Sequence, residues 1–334
     1  MQYRNLGKSN LKVSTLCLGT MMFGDQTDRA AAADIVAHAH DKGVNFIDSA
    51  DVYANGASEE MVGDLLQNQR HDWVLATKLG NQMSKRVNDG HYSRSWMLRQ
   101  ADASLRRLRT DAIDILYLHR DFDGMNLEEP VGAMGDLVRA GKIRYWGVSN
   151  FRGWRIAEMV RIAQQLGVPG PVVCQPYYNL LNRMPEVEIL PACRHYGIGV
   201  APYSPIARGV LTGKYTLGAA PEPGTRAGRN DKRMAETELR QESLVIAQKL
   251  NAHAQAQGIS LAQFATAWVL ANKIISSVIA GPRTLAQWQD YFPALDYTVT
   301  SADEALIDSF VGPGHPSTPG YTDPAYPLNG RLAL

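Results

Sequence analysis

Cysteine is scarce: Cys17, Cys174 and Cys193 are the only three in a chain of 334 residues. Odd in number, widely spaced and set among apolar neighbours, they exclude a disulfide frame and a paired-cysteine zinc site. They fit reduced, buried thiols in a cytoplasmic protein without a metal centre. An excess of either charge is also missing, because 34 Lys and Arg face 33 Asp and Glu for a formal net charge of +1. That balance excludes the basic footprint of a nucleic-acid binder and the surface that seeks anionic lipid. No run approaches the roughly 18 apolar residues that span a bilayer, and the start Met1-Gln2-Tyr3-Arg4-Asn5-Leu6 carries no apolar signal segment. A soluble cytoplasmic protein with neither nucleic-acid nor membrane partner is expected; no oligomeric state follows from the sequence.

What is present is a rhythm. After an opening that alternates apolar and polar residues around Gly7-Lys8-Ser9-Asn10, a β-hairpin signal over about 1–14, short apolar strands alternate with helical patterns. Strands are expected at 15–18, 45–47, 73–77, 113–118, 145–148, 171–174, 199–202 and 277–280. Helices are expected at 29–41, from the capping candidate Ser58, and at 93–107, 127–139, 154–166 and 186–196. Strand, helix, strand means parallel βαβ units, and eight such strands without a linker between them fit one (β/α)8 barrel domain over 1–334. The runner-up is a doubly wound open sheet. Against it, Leu18-Gly19-Thr20-Met21-Met22-Phe23-Gly24 lacks the Gly-x-Gly-x-x-Gly fingerprint, so a nucleotide must be held in some other way.

Three stretches depart from the rhythm. The polar segment 203–239, after the seventh strand, reads as a long mobile loop over the barrel mouth. The Pro-rich tail, about 312–334, either drapes over the barrel or is loose. Arg106-Arg107-Leu108-Arg109, ending a helical pattern, reads as a solvated basic C-terminal turn.

Ionisable residues end three consecutive strands. Asp48 closes the second, Lys78 the third and His119 the fourth, while Tyr53 lies in the loop five residues after Asp48. In a parallel barrel those ends open on one face, where catalytic groups gather. A free phenol and a free ammonium titrate near about 10 and 10.4, so neither transfers a proton readily at neutral pH unless tuned. Asp48 beside Lys78, and Lys78 beside Tyr53, would make an acid able to protonate a carbonyl oxygen that His119 orients. A lysine at a barrel mouth could instead form a Schiff base.

Several ordered segments carry a resemblance: Tyr3-Arg4-Asn5-Leu6-Gly7 with Leu18-Gly19-Thr20-Met21, Phe46-Ile47-Asp48-Ser49-Ala50-Asp51-Val52-Tyr53, Ala76-Thr77-Lys78 and Leu105-Arg106-Arg107-Leu108. Further along come Tyr117-Leu118-His119-Arg120, the segment from Gly141 through Ser149-Asn150-Phe151, and Tyr203-Ser204-Pro205. Over nearly its whole length the chain resembles the aldo-keto reductases. The resemblance implies NAD(P)H-dependent carbonyl reduction in a (β/α)8 barrel by a tetrad falling on Asp48, Tyr53, Lys78 and His119. It places Ser149, Asn150 and Gln175 against the nicotinamide carboxamide, with Tyr203 stacked on the ring and Gly19, Thr20, Met21 and Asp48 nearby. Ser204, Pro205, Ile206, Gly209 and Lys214 would follow the pyrophosphate, and Gly281, Arg283 and Gln287 the adenosine phosphate.

Arg283 favours NADP(H) over NAD(H), since a guanidinium can clamp a 2′-phosphate. Gln287 is followed by Trp288-Gln289-Asp290-Tyr291, a departure from the family, whose members often carry Asn there; the adenine contacts depend on it. For a small carbonyl substrate the pocket candidates are Met22, Phe23, Tyr53, His119, Arg120 and Phe122, with additions from residues 81–95 and the tail. The same family resemblance extends to redox-sensing, cofactor-binding subunits of potassium channels, and no long extension precedes the barrel to favour that role.

Overall fold

The computed structural model describes residues 1–327. Two short strands, β1 (Tyr3–Asn5) and β2 (Lys12–Ser14), pair antiparallel with Tyr3 opposite Ser14, as the opening alternation predicts. The alternation that follows runs β3 (Leu16–Gly19), α1 (Arg29–Asp41), β4 (Phe46–Asp48), α2 (Ala57–Leu66), β5 (Val74–Leu79) and α3 (Arg94–Arg107). It continues with β6 (Ile113–Leu118), α4 (Glu128–Arg139), β7 (Ile143–Ser149), α5 (Gly153–Leu166), β8 (Val173–Gln175), α6 (Ile189–Tyr196), β9 (Gly199–Val200) and, late in the chain, β10 (Val278–Ala280).

Local chemistry explains these boundaries. Asp28 caps α1 by accepting the Ala31 amide at 2.9 Å, and Ala32, Ile35, Val36 and Ala39 make the buried stripe that a 3.6-residue period requires. Ser93 caps α3 in the same way. Apart from Asp114 on β6 and Arg144 and Tyr145 on β7, the strands β3 to β10 are buried on both faces, so they read mostly as apolar runs rather than alternations.

All eight of those strands are parallel, in the order β10-β3-β4-β5-β6-β7-β8-β9. Parallel bridges from Val200 to Ile275 and from Tyr203 to Ile279 bring the last edge back to the first, which makes the (β/α)8 barrel expected from the sequence. Its interior is filled by Cys17, Phe46, Ala76, Ile115, Tyr117, Val173 and Ile279, joined by Leu6 and Val13 of the hairpin. The hairpin is tied to the starts of the strands: Arg4 Nη1 donates to the Ile275 carbonyl at 2.7 Å, and the Lys8 amide to Gly197 at 2.7 Å. It therefore closes the end of the barrel opposite Asp48 and Lys78.

By its contacts the chain divides into two compact units. The first holds Met1–Pro176, Glu188–Tyr203 and Lys273–Gln289, and so every strand. The second holds Tyr177–Val187, Ser204–Asn272 and the chain from Asp290 onward. Its helices Leu261–Ala271 and Ser301–Phe310 each open on a capping box, Ser260 with Gln263 and Thr300 with Asp303. Buried Arg183 links it internally, donating to Glu186 at 2.9 Å, Asp308 at 2.6 Å and the Val311 carbonyl at 2.8 Å. No helix of the described residues is long and apolar enough to cross a membrane.

Three local expectations are corrected. Ser58 does not cap α2, which starts from Gly56 in a left-handed conformation; its hydroxyl is buried and bonded to Thr20 and Ser49. Arg107 is not simply solvated, because its guanidinium is bonded to the buried carboxylate of Glu59 at 2.6 Å, and Arg109 pairs with Asp64. The segment 203–239 is not structureless, for it contains the short helical pieces Ala207–Thr212, Ala227–Arg229 and Lys232–Thr237. The described part of the tail is fixed within the second unit: Ser317 donates its amide to Leu181 at 2.9 Å, and the Arg240 guanidinium lies 3.7 Å over the Tyr321 ring. Residues 328–334 of the expected tail lie outside the described residues.

Candidate active site

Register brings the strand ends together. Asp48 on β4 lies opposite Ala76 on β5, so Lys78, two residues on, projects from the same face one pleat further along. His119 follows β6 at once, its amide donating to the Leu79 carbonyl at 2.9 Å. Ser149 and Gln175 are partners at the ends of β7 and β8. Five consecutive strands thus end in polar side chains within one unit.

The Lys78 ammonium is wholly buried, and each of its three hydrogens has an acceptor: a carboxylate oxygen of Asp48, the Ser49 carbonyl at 2.6 Å and the Tyr53 hydroxyl at 3.2 Å. Gln175 donates to the other Asp48 oxygen at 2.9 Å. Burial alone would push Lys78 towards the neutral amine, but Asp48 and Tyr53 outweigh it and hold the pKa above the ordinary lysine value. Burial likewise raises the Asp48 carboxyl, with Lys78 and Gln175 opposing. The two charges compensate each other, and deleting either would strand its partner in a low-dielectric site at about 3–5 kcal/mol.

Tyr53 is aimed by its loop. The amides of Ser49 and Asp51 donate to Ala76 and Lys78 on β5 at 2.9 and 3.1 Å, pinning the chain. Ala54 and Asn55 then take left-handed φ values of 46° and 54°, the kind of backbone strain that persists where surrounding structure enforces it. The Tyr53 hydroxyl accepts from Lys78, so its own hydrogen points away from that nitrogen. The ring meets His119 edge-on at 6.0 Å between centroids. Burial, then the charges of Lys78 and Arg120, depress the His119 pKa well below the ordinary value, so its imidazole is neutral at neutral pH.

The remaining expected residues divide. Asn150, left-handed at φ 62°, donates to the His119 carbonyl at 3.0 Å and to Ser149 at 3.0 Å, and accepts from the Tyr203 hydroxyl at 2.8 Å. Ser149 donates to the Gln175 carbonyl at 2.8 Å. These amide and hydroxyl groups are together, whereas Gln175 directs its amide to Asp48. The Thr20 hydroxyl is bonded to the Asp48 carbonyl at 3.1 Å and to Ser58, beside buried Gly19, while Met21 is exposed. Phe23 is fully buried and Met22 nearly so. Arg120 and Phe122 do meet, with the guanidinium 5.1 Å over the ring.

In the first unit Arg283 and Gln287 lie on one turn, where Gln287 accepts the Arg283 amide at 2.9 Å beside exposed Gly281. Ser204, Pro205, Ile206, Gly209 and Lys214 belong to the second unit. There Ser204, Ala207 and Arg208 have φ values of 58°, 47° and 50°, and a β-carbon on Gly209 would come within 3.1 Å of Lys214 Nζ. The bare glycine lets the lysine fold over the turn, whose Ala207 and Gly209 amides donate to the Ser204 and Ile206 carbonyls at 2.9 and 2.8 Å.

Three neighbours come from the segment 81–95, where additions to the pocket are expected without a residue being named. Asn81 reaches His119 Nδ1 at 2.9 Å; His91 stacks on Phe122 at 4.1 Å; the Tyr92 hydroxyl donates to the Arg120 carbonyl at 2.6 Å. The signal available was Gly80 at the end of β5. Its φ is 123°, and a β-carbon there would sit 2.3 Å from the Tyr92 ring, so the loop returns over this position.

A family model described as the aldo/keto reductase family matches residues 15–311. A probable voltage-gated potassium channel subunit beta of Arabidopsis thaliana is 41% identical over 303 residues, 89% of this chain and 92% of that protein. The uncharacterized oxidoreductase YrpG of Bacillus subtilis (strain 168) is 35% identical, covering 98% of this chain and 99% of its own. An L-glyceraldehyde 3-phosphate reductase of Escherichia coli (strain K12) is 32% identical, with 94% and 93% covered.

Proposed function

The chain belongs to the aldo/keto reductase family, and on that premise we propose that it reduces aldehydes or ketones to alcohols with NADPH, reversibly. The observation that carries the reading is the buried ammonium of Lys78 held between Asp48 and the Tyr53 hydroxyl. Asp48 keeps Lys78 charged, and Lys78 stabilises the phenolate that Tyr53 becomes once it has given its proton to the carbonyl oxygen. Neutral His119 contributes a hydrogen bond to that oxygen.

The bound nicotinamide supplies the hydride for the carbonyl carbon. In the first unit, Ser149, Asn150 and the flat face of Tyr203 suit a carboxamide and its ring, and Gly281, Arg283 and Gln287 suit an adenosine phosphate. In the second, the Lys214 ammonium over the turn at Gly209 and the Ser204 hydroxyl suit a phosphate. The partner proposed is a small carbonyl compound; the even charge balance supports no nucleic-acid role, and the three free thiols support a cytoplasmic location.

The relatives named as potassium channel beta subunits favour a second reading, a non-catalytic NADP(H)-binding redox-sensing subunit. Following NADPH consumption with a panel of aromatic, aliphatic and phosphorylated aldehydes separates the two. Turnover is expected, with Tyr53→Phe losing about 100-fold or more while still binding NADPH. Tight NADPH binding without turnover on any aldehyde selects the second reading, and unchanged turnover in Tyr53→Phe removes Tyr53 as the acid.

A further inference from the structure

His119 is held at two points by asparagines. Asn150 takes its backbone carbonyl at 3.0 Å, and the Asn81 amide nitrogen lies 2.9 Å from its Nδ1. The first contact places the strand end; the second acts on the ring itself. A neutral imidazole has one N–H and one bare nitrogen, and which is which depends on the partner of each. Only a ring nitrogen that carries hydrogen can donate to a carbonyl oxygen.

We propose that Asn81 is a positioning residue, which donates to His119 Nδ1 and thereby fixes the hydrogen on Nε2, the nitrogen turned away from it. The kinetic part of this proposal rests on the reductase reading; the tautomer does not. Several groups bear on the ring. Lys78 and Arg120 are cations whose charge disfavours imidazolium, and Tyr53 meets the ring edge-on. With the doubly protonated form suppressed, an amide donor at Nδ1 leaves a single neutral form able to donate from Nε2. An acceptor in place of Asn81 would do the opposite, drawing the hydrogen to Nδ1 and leaving Nε2 bare.

Two substitutions separate orientation from mere packing. Asn81→Leu removes the donor and leaves the tautomers to their own balance, whereas Asn81→Asp is nearly the same shape and supplies an acceptor. Nitrogen NMR of ring-labelled histidine in the cofactor-free protein reads the tautomer directly. The wild type is expected with hydrogen on Nε2 across neutral pH, Asn81→Leu as a mixture, and Asn81→Asp with hydrogen on Nδ1 at high pH and imidazolium at lower pH. For carbonyl reduction, Asn81→Leu should lose less than about tenfold in kcat/KM and Asn81→Asp about 100-fold at high pH, the scale of losing one oxyanion donor. Asn81→Asp should also gain an ionisation, recovering activity as the pH falls and Nε2 becomes a donor again.

A purely structural role predicts the reverse order, since aspartate preserves the shape better than leucine. Hydrogen on Nδ1 in the wild type, or identical NMR spectra for all three proteins, overturns the proposal. If no carbonyl compound is turned over, the reductase reading fails while the nitrogen spectrum still decides the tautomer.

Discussion

Tyr53, Lys78 and Asp48 form a hydrogen-bonded chain of fixed polarity because Lys78 has three acceptors. These residues were legible in the sequence for a simple reason: each ends or follows an apolar run, and parallel strands deliver their ends to one face. Phe23 is less legible, because an aromatic after a strand end looks the same in sequence whether it lines a mouth or, as its full burial shows, packs inside. Asn81 is legible only as part of the segment 81–95, since its contact with His119 depends on how the loop beyond Gly80 folds back. The other residue-level expectation concerns cofactor choice. Replacing Arg283 by Ala should weaken NADPH binding about 10- to 100-fold, the worth of hydrogen bonds to a charged group, and NADH far less. Titration of the two cofactors measures it, and equal losses would refute a contact with the 2′-phosphate.

Among the elements, α1 falls on the range read from its apolar period, and β6 does too, while β5 runs on through Lys78 beyond its expected end. Helix α2 was the harder case. Its expected cap, Ser58, instead ties the Thr20 turn to the Asp48 loop, which no local pattern announces. The basic end of α3 is hard to read for a related reason: the buried partner of Arg107, Glu59, is 48 residues away in sequence. The approach of α2 to the end of α3 is close enough that a β-carbon on Gly63 would stand 2.6 Å from the Arg107 carbonyl oxygen. Gly63→Ala gains about 1 kcal/mol of helix propensity, but the obstacle is backbone and cannot rotate away, so overpacking of about 1–3 kcal/mol prevails. Urea unfolding should register a net loss of stability; a gain would mean that the two helices separate without cost.

For the molecule as a whole, stability should depend on pH through a carboxyl outside the tetrad. Asp51 is buried; that burial, and next the charge of Glu59, raise its pKa to about 7 despite the hydrogen bond from Gln100. Folding therefore favours the protonated acid. Its contribution is full below the unfolded value near 3.8, declines as the pH rises, and is gone above about 7. Asp51→Asn keeps a neutral side chain at every pH. It should match the wild type in unfolding free energy near pH 4 and exceed it at pH 8 by up to about 4 kcal/mol, because each tenfold change in proton affinity is worth about 1.4 kcal/mol. A constant difference between variant and wild type at the two pH values would show that Asp51 is ionised in both states. The eight-strand barrel itself was readable from length and rhythm. The division into two units was not, because the second gathers three separated stretches of chain.

The burial of Lys78 has one more consequence. Aldehydes condense with amines, and an enzyme that handles them exposes its own lysines to adduct formation. That condensation needs a nitrogen lone pair, and the Lys78 nitrogen has none to offer while it remains an ammonium with three engaged hydrogens. The Schiff-base chemistry that its position at the barrel mouth suggested is thereby disfavoured, and under the proposed carbonyl reduction the lysine at the centre of the site would resist condensing with its own substrates.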